Sequence, residues 1–262
     1  MFKGILTAWH YRTQLWTIFW KQYTAPYKHS ALGLIWAFIL PVVPISAYII
    51  VRGIILPSGG ADNEIHGAVY VAIGASLWFY LTDLIQRPQV ALKRQQASFS
   101  FGRLPGLGVA LIAWFQAVIE LGLRMPLIVV AIILFSPHNV DGLWLASAGF
   151  VGATLGAFAL GLLVASAAAF IPDLKIITEV SMRYLLFFSF VIFPLPKTGA
   201  LVYLYKLNPI AVYIDNIRNA IVYGSLLEPG LYFGYVTGSI LLFVAASLLF
   251  LALESHLKEA YS

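Results

Sequence analysis

Residues 27–51 read YKHSALGLIWAFILPVVPISAYIIV, a stretch in which a cationic, aromatic segment gives way to an apolar one. The apolar part, 31–51, carries no charged side chain. A transmembrane helix needs about 20 residues of this kind to cross the hydrocarbon core of a bilayer. The change of composition at Ser30 therefore predicts the point at which the chain enters a membrane.

The segment before this boundary, 1–30, is basic and rich in aromatic side chains. It contains no acidic residue, and its lysines and arginine are interleaved with tryptophan, tyrosine and phenylalanine. Such side chains favour the headgroup layer, where rings lie at the polar–apolar border and cations lie near anionic lipid. We expect an amphipathic helix on the inner leaflet that is interrupted at Pro26. Its apolar face would carry Ile5, Trp9, Trp16, Phe19 and Tyr23.

The whole chain has the composition of a helical membrane protein. Of its 262 residues, 61% are hydrophobic and only 10% are charged, too few polar side chains to cover a water-soluble globule. We expect an all-α polytopic membrane protein with an N-terminal interfacial helix over 1–30 and a six-span domain over 31–262. The six transmembrane helices are predicted at about 32–56, 68–85, 106–135, 143–171, 176–194 and 231–253.

Lysine and arginine resist translocation, so their positions predict the orientation of the chain. With six spans, eleven of these cations fall on one side of the membrane and four on the other, and Arg124 lies within a span. Both termini are therefore expected in the cytoplasm. The net charge of +5 follows from this distribution and does not indicate nucleic-acid binding.

Two connections between the predicted spans have a distinctive composition. On the inner side, residues 88–100 are basic and amphipathic, and Pro88 suits the first turn of a helix. We expect a short cytoplasmic helix that buries Val90 and Leu92 and presents polar side chains to a partner. The partner-facing side chains are Arg87, Lys93, Arg94 and Gln95. On the outer side, residues 195–228 mix apolar and polar side chains in a way that predicts short re-entrant helices.

Two ion pairs and a stripe of small residues are predicted within the spans. Glu120 and Arg124 lie one helical turn apart, which favours an intrahelical ion pair; a polar contact on a conduit or dimer seam is the alternative. Asp83 and Arg87 have the same spacing. Small residues repeat along the fourth span and predict close helix packing. They include Gly149, Gly152, Gly156 and Gly161.

The sequence gives little indication that the protein is an enzyme. There is no cysteine, the five histidines are scattered, and no serine or carboxylate pair stands in a recognised catalytic arrangement. Asp62, Glu64 and His66 cluster in one outer loop, where a solvated turn is favoured over a weak cation site. No glycine-rich phosphate loop occurs, so the chain cannot hydrolyse ATP by that means. We expect no catalytic residue, no metal site and no cofactor in this chain.

Several motifs, in order along the chain, resemble those of the ABC-2 type permeases that export polysaccharides and polyol phosphates. They are similar to the family's first-span signature, the motif after its fourth span, the proline motif after its fifth span, and the asparagine-proline and arginine motif before its last span. The matching stretches are YKHSALGLIWA at 27–37 with Pro41, FIPDL at 170–174, FPLP at 193–196, LNP at 207–209 and IRNA at 217–220. The resemblance covers essentially the whole chain.

This sequence departs from the family pattern in two places. Pro172 stands where the family has an arginine, and residues 98–105 match only weakly. These departures leave the subfamily open among exporters of capsular polysaccharide, O-antigen and teichoic acid. The resemblance implies a homodimer in the bacterial inner membrane that pairs with two copies of a separate ATP-binding subunit. That subunit would hold ATP and Mg, and the helix at 88–100 would dock on it.

The resemblance also implies which spans line the path of a lipid-linked polysaccharide. By this resemblance, the first and fifth spans would face the path. A moving polymer needs a path lined by ring faces and hydrogen-bonding groups without deep binding sites, because tight binding would stall it. The candidate path residues are Trp36, Phe38, Tyr48, Arg52, Tyr184, Phe187, Phe188, Phe190 and Phe193. For each ring the alternative is helix packing or a place in an interfacial aromatic belt. For Arg52 the alternative is an arginine that extends to the outer interface.

Two other classes of protein remain open at this point. A secondary transporter that works without ATP would use ionisable groups within the membrane, and Glu120 with Arg124 is the feature that favours it. However, the two halves of the chain show no convincing internal repeat. An integral-membrane transferase is less favoured still, because the chain has no recognised catalytic arrangement.

Overall fold

The structure is a computed structural model that describes residues 11–25, 28, 30, 32–33, 35–51, 65–101, 104–135, 142–193 and 199–260. Within these residues the protein is helical and contains no strand. The helices are α1 (Arg12–Thr24), α2 (Ile35–Ile49), α3 (Gly67–Arg94), α4 (Gln96–Ser100), α5 (Gly106–Phe135), α6 (Leu143–Phe170), α7 (Asp173–Phe188), α8 (Ala200–Leu207), α9 (Pro209–Tyr223), α10 (Pro229–Ala252) and α11 (Glu254–Ala260).

Four of the described helices are long and apolar enough to cross a membrane, namely α3, α5, α6 and α10. The prediction of a helical membrane protein is confirmed to this extent. In the stretch predicted as the fifth span the helix is shorter, because α7 has 16 residues. In the stretch predicted as the first span, α2 is followed by π-helical residues 50–51 at the edge of the described part. The helix α7 ends where residues 189–193 form turns, and Phe190 has a positive φ of 51°.

Helix α3 corrects the predicted boundary at Pro88. The prediction placed a span at 68–85 and began a new helix at Pro88, whereas α3 continues through Pro88 to Arg94. Proline removes one backbone hydrogen bond and presses its ring towards the carbonyl one turn earlier, which belongs to Leu84. Gly161 of α6 lies against this point, and a Cβ there would overlap the Leu84 carbonyl and stand 3.0 Å from Pro88 Cγ. The neighbouring helix therefore accommodates the proline inside α3.

The predicted inner helix at 88–100 is consequently divided. Residues 88–94 form the end of α3, Gln95 is non-helical, and 96–100 form the short helix α4. With 28 residues, α3 is about 42 Å long, which exceeds the ~30 Å hydrocarbon core of a bilayer. The end of α3 is thus long enough to project beyond the apolar layer.

Helices α3 and α6 form the centre of the bundle. Helix α3 packs against α5, α6 and α2, while α6 packs against α10 and α9. The small-residue face of α6 lies against α10. A Cβ at Gly149 would overlap the Tyr232 hydroxyl of α10, and a Cβ at Gly156 would stand 2.5 Å from Ser239 Oγ of the same helix. The prediction of close helix packing along this stripe is therefore confirmed.

Part of the predicted interfacial helix is visible as α1. Trp16, Phe19 and Tyr23 share one face, with ring centroids 5.3 Å apart for Trp16 and Phe19 and 5.8 Å apart for Phe19 and Tyr23. Phe19 is buried against α5, where its ring lies 6.4 Å from that of Phe115. Residues 1–10, which carry Ile5 and Trp9, lie outside the described residues. Helix α1 is therefore packed on the bundle through Phe19.

The region predicted to hold short re-entrant helices contains α8 and α9. Helix α9 begins at an Asn-Pro pair: Asn208 Oδ1 accepts hydrogen bonds from the amides of Ile210 at 3.1 Å and Ala211 at 3.3 Å. Pro209 occupies the first helical position. Proline lacks a backbone N–H, and at this position an N–H would have no hydrogen-bond partner within the helix. The helix ends at Gly224, whose φ of 72° is favourable for glycine.

Candidate functional site

A buried arginine joins three helices at the end of α7. Arg218 of α9 has no exposed surface, and its Nη1 lies 2.5 Å from Oδ1 of Asp215, one turn earlier on the same helix. Its guanidinium also lies over the ring of Tyr70 on α3, 3.6 Å from the ring centroid. A buried charge is stable only when it is paired and hydrogen-bonded. Arg218 is paired with Asp215 and hydrogen-bonded through both Nη atoms, while its Nε and Asp215 Oδ2 have no hydrogen-bond partner among the described residues.

Arg218 and Tyr70 together hold the turn that follows α7. Arg218 Nη1 donates to the Phe190 carbonyl at 3.3 Å, and Nη2 donates to the Val191 carbonyl at 2.7 Å. The Tyr70 hydroxyl lies 2.8 Å from the Phe190 carbonyl and 2.9 Å from that of Phe193. Phe190 has a positive φ, a conformation that costs a non-glycine residue about 1–3 kcal/mol. These donors fix the turn in that conformation.

Gly74 of α3 provides the space for the guanidinium. A Cβ at this position would overlap Arg218 Nη2 and lie 2.5 Å from its Cζ. Asn208 adds a further connection, because its Nδ2 donates to Ser189 Oγ at 2.9 Å. We refer to Tyr70, Gly74, Asp215 and Arg218 with the backbone of 190–193 as the Arg218 cluster.

The role of Arg218 was not predicted from the sequence, which placed it among the outer-side cations. The available signal was the spacing of Asp215 and Arg218, which are three residues apart on one helix. Their partners on α3 and after α7 are far away in sequence, so the spacing alone could not identify them.

Three predicted path residues of α7 form an exposed aromatic face, and Phe193 is exposed in the turn that follows the helix. Tyr184 is 61% exposed, and Phe187, Phe188 and Phe193 are each 52% exposed. Phe190 differs, because it is only 7% exposed and its ring lies 6.3 Å from that of Tyr205. Its positive φ directs the chain away from the course of α7, so Phe190 belongs to the packed interior and not to the exposed face.

The structure describes only some of the predicted path residues of the first span. Trp36 is exposed on α2, whereas Tyr48 is half-buried and packs against the hydrophobic core. The side chain of Phe38 and the whole of Arg52 lie outside the described residues. Helix α2 packs on α3 and α5, and α7 packs on α3 and α6.

A network of four charged side chains links α3 and α5. The two predicted helical pairs are both present: Arg87 Nε lies 3.0 Å from Asp83 Oδ1, and Arg124 Nη2 lies 3.5 Å from Glu120 Oε2. Arg87 Nη2 also lies 2.6 Å from Glu120 Oε2, which joins the two pairs across the helices. Two carboxylates thus face two guanidinium groups, so the network is electrically balanced. It lies between two helices of one chain.

This network corrects the role predicted for Arg87. Its guanidinium is held by Asp83 and Glu120, so it is not directed to a partner. Leu92 is buried as predicted, and Val90 and Gln95 are half-buried. The predicted partner-facing residues that are exposed are Lys93 and Arg94.

The loop residues considered for a cation are only partly described. His66 accepts a hydrogen bond from the Ala68 amide at its Nδ1, 3.3 Å away, and so caps α3. Asp62 and Glu64 lie outside the described residues. Across the described part of the chain, no group of three or more histidine, aspartate or glutamate side chains could hold a metal ion.

Comparison with protein-family models found no matching family, and comparison with curated proteins found no match. The geometry consists of buried polar contacts that fix one turn, an exposed aromatic face beside it, and an ion network between two long helices. Such an arrangement can present rings to a binding partner or cargo on a rigid support.

Proposed function

We propose that this chain is the membrane-spanning subunit of an ATP-driven exporter similar to the ABC-2 type permeases. Its cargo is a lipid-linked cell-surface polysaccharide of capsular or O-antigen type, which crosses the bacterial cytoplasmic membrane. The observation that carries the proposal is the Arg218 cluster. Three motif residues that resemble the family meet at the turn after α7, because Phe193 belongs to that turn and Asn208 and Arg218 contact it from α9 and its N-terminal end.

The proposal includes six spans, with α2 and α7 in the first and fifth. The 16 residues of α7 correspond to about 24 Å of helix, less than the hydrocarbon core. A helix that lines a polar conduit need not match the lipid thickness along its whole length, because part of it faces water and protein. The short helix α7 with its exposed rings therefore suits a conduit better than a lipid-facing wall.

The exposed face of α7 supports a homodimer. Tyr184, Phe187 and Phe188 are each more than half exposed within one chain. A second copy opposite this face would enclose the rings between the two subunits and form a path for a sugar polymer, whose apolar faces stack on aromatic rings. The lipid anchor of the polymer would remain near the bilayer.

The driving force comes from a second polypeptide, present in two copies. The chain has no phosphate loop, so ATP and Mg belong to that subunit. With both termini in the cytoplasm, the end of α3 and helix α4 face the motor. Lys93 and Arg94 are exposed there and would meet an acidic surface of the motor subunit.

Reconstitution tests this proposal directly. The chain is co-expressed with a candidate ATP-binding subunit from the same organism, the complex is placed in lipid vesicles, and ATP-dependent movement of labelled lipid-linked glycan is measured. We expect transport only with both subunits and hydrolysable ATP. Transport by the chain alone in a proton gradient would identify a secondary transporter and refute the proposal. A polyol phosphate cargo would identify a teichoic acid exporter of the same family.

A further inference from the structure

The C-terminal helix α11 packs on the inner connection between α3 and α5. It contacts α4 on one side and α6 and α10 on others. Leu257 of α11 is fully buried, so the helix is part of the packed structure. Nothing in the sequence motifs accounts for this placement, since the two segments are about 150 residues apart.

Glu254, the first residue of α11, is hydrogen-bonded to the first residue of α5. Its Oε1 accepts from the Gly106 amide at 3.2 Å. The first amides of a helix have no partner within the helix, and a carboxylate is favourable there because it meets the positive end of the helix dipole. Lys258 Nζ lies 3.1 Å from the same Glu254 oxygen and holds the carboxylate from the other side.

Phe99 connects α4 to the same place. Its ring is fully buried, and Lys258 Nζ lies 5.8 Å from the ring centroid. A Cβ at Gly106 would stand 2.9 Å from Phe99 and 3.0 Å from Phe250 of α10, so the two rings enclose this glycine closely. Phe99, Gly106, Glu254 and Lys258 thus form one contact set, here called the α11 clamp, which ties α4 to the start of α5 and the end of α10.

We propose that the α11 clamp positions α4 for the motor subunit and transmits its movement to α5 and α10. Glu254 and Lys258 act as positioning residues, because Glu254 binds the start of α5 and Lys258, paired with Glu254, lies over Phe99 of α4. The exposed groups beside the clamp are Lys93, Arg94 and Phe101, the last of which is 76% exposed. A rigid link at α4 makes a displacement of this surface move two long helices together. The coupling role rests on the proposed function, whereas the clamp itself does not.

The first arm of the test uses the full chain without any motor. Hydrogen–deuterium exchange is measured over 96–106 for the wild type, Glu254→Gln, Lys258→Gln and Lys258→Arg. Glu254→Gln keeps an acceptor for the Gly106 amide but loses the negative charge that favours the helix N-terminus and holds Lys258, so exchange at Gly106 and in α4 should rise by about tenfold. Lys258→Arg should restore protection that Lys258→Gln loses, because it keeps the cation. Unchanged exchange in Glu254→Gln would overturn the clamp.

The second arm uses the complex with the ATP-binding subunit in vesicles. We expect Glu254→Gln to lower the glycan transported per ATP hydrolysed by at least about threefold, while the motor subunit still co-purifies. A purely structural role would lower the yield of folded chain and leave this ratio unchanged. The matched control is Glu179→Gln, which removes another helical pair, Lys175–Glu179 at 3.6 Å on the exposed surface of α7.

The two arms separate the two possible failures. Altered exchange with an unchanged transport ratio would overturn the coupling role and leave the proposed function intact. A wild-type complex without ATP-driven transport would overturn the proposed function and the coupling role with it, and the exchange arm would still decide whether the clamp exists.

Discussion

Arg218 of α9 and Tyr70 of α3 are stacked, with the guanidinium carbon 3.6 Å from the ring centroid, although the two residues are 148 positions apart in the chain. Both also bind the Phe190 carbonyl, so this pair closes the turn after α7 from two sides. The cluster therefore links a central long helix to the segment that presents the exposed aromatic face.

Replacing Arg218 should destabilise the fold strongly. Arg218→Ala leaves the buried Asp215 carboxylate without its cation and the Val191 carbonyl without its donor, which should cost about 3–5 kcal/mol of unfolding free energy. The measurement is thermal or denaturant unfolding in lipid nanodiscs. The double variant Asp215→Leu with Arg218→Met removes both charges and should cost less than the sum of its two single variants. Additive losses would contradict the proposed coupling of the pair.

Gly74 should not tolerate a side chain. Gly74→Ala places a methyl group where Arg218 now lies, so the arginine must leave its partners or α3 must shift. We expect a loss of several kcal/mol, of the order found when a buried ion pair is broken. The matched control is Gly122→Ala, because a Cβ at Gly122 of α5 meets nothing within 4 Å. Equal stability of the two variants would show that Gly74 is not needed to hold Arg218.

The charge network between α3 and α5 predicts a second pattern of losses. Arg87→Gln leaves two carboxylates facing one arginine in a largely buried place, so we expect a loss of about 3–5 kcal/mol. Arg87→Gln combined with Glu120→Gln restores the charge balance and should recover part of that stability. Arg183→Gln, at an exposed position of α7, serves as the control for loss of an arginine. A double variant less stable than Arg87→Gln alone would contradict this account.

The stability of the packing at the small-residue face of α6 should depend on side-chain size alone. Gly149→Ala overlaps the hydroxyl of Tyr232, which donates to the Leu145 carbonyl. We expect a destabilisation of about 1–3 kcal/mol from this overpacking. Gly238→Ala on α10 provides the control, because a Cβ there meets nothing within 4 Å and alanine favours a helix. Unfolding of both variants under the same conditions compares them directly.

The exposed rings of α7 should matter for export more than for stability. Phe188→Ala, alone or combined with Trp36→Ala, removes ring faces that are exposed in the single chain, so unfolding should change by less than about 0.5 kcal/mol. Under the proposed function, surface polymer should fall several-fold while the complex still assembles. Phe233→Ala, an exposed ring on α10, is the matched control. Unchanged surface polymer in the double variant would refute the assignment of these two rings to the path.

Local patterns in the sequence predicted much of the helical content. The apolar runs predicted α3, α5, α6 and α10 as long membrane helices, and helical spacing predicted the Asp83–Arg87 and Glu120–Arg124 pairs. The prediction was wrong at Pro88, because a proline usually ends a helix and the accommodating Gly161 lies on another helix. The burial of Phe190 was not predicted for a similar reason, since its place depends on donors from α3 and α9.

The sequence by itself determined that this protein is a bundle of apolar helices, because membrane insertion and helix formation depend on the composition of contiguous residues. Only the tertiary structure decided which polar groups meet. Residues that are distant in the chain meet in three places. Arg87 and Glu120 join the two ion pairs, Arg218 lies beside Gly74, and α11 packs on α4. A periodic pattern specifies the face of a helix on which a residue lies, whereas the partner of that face is set by how the helices pack.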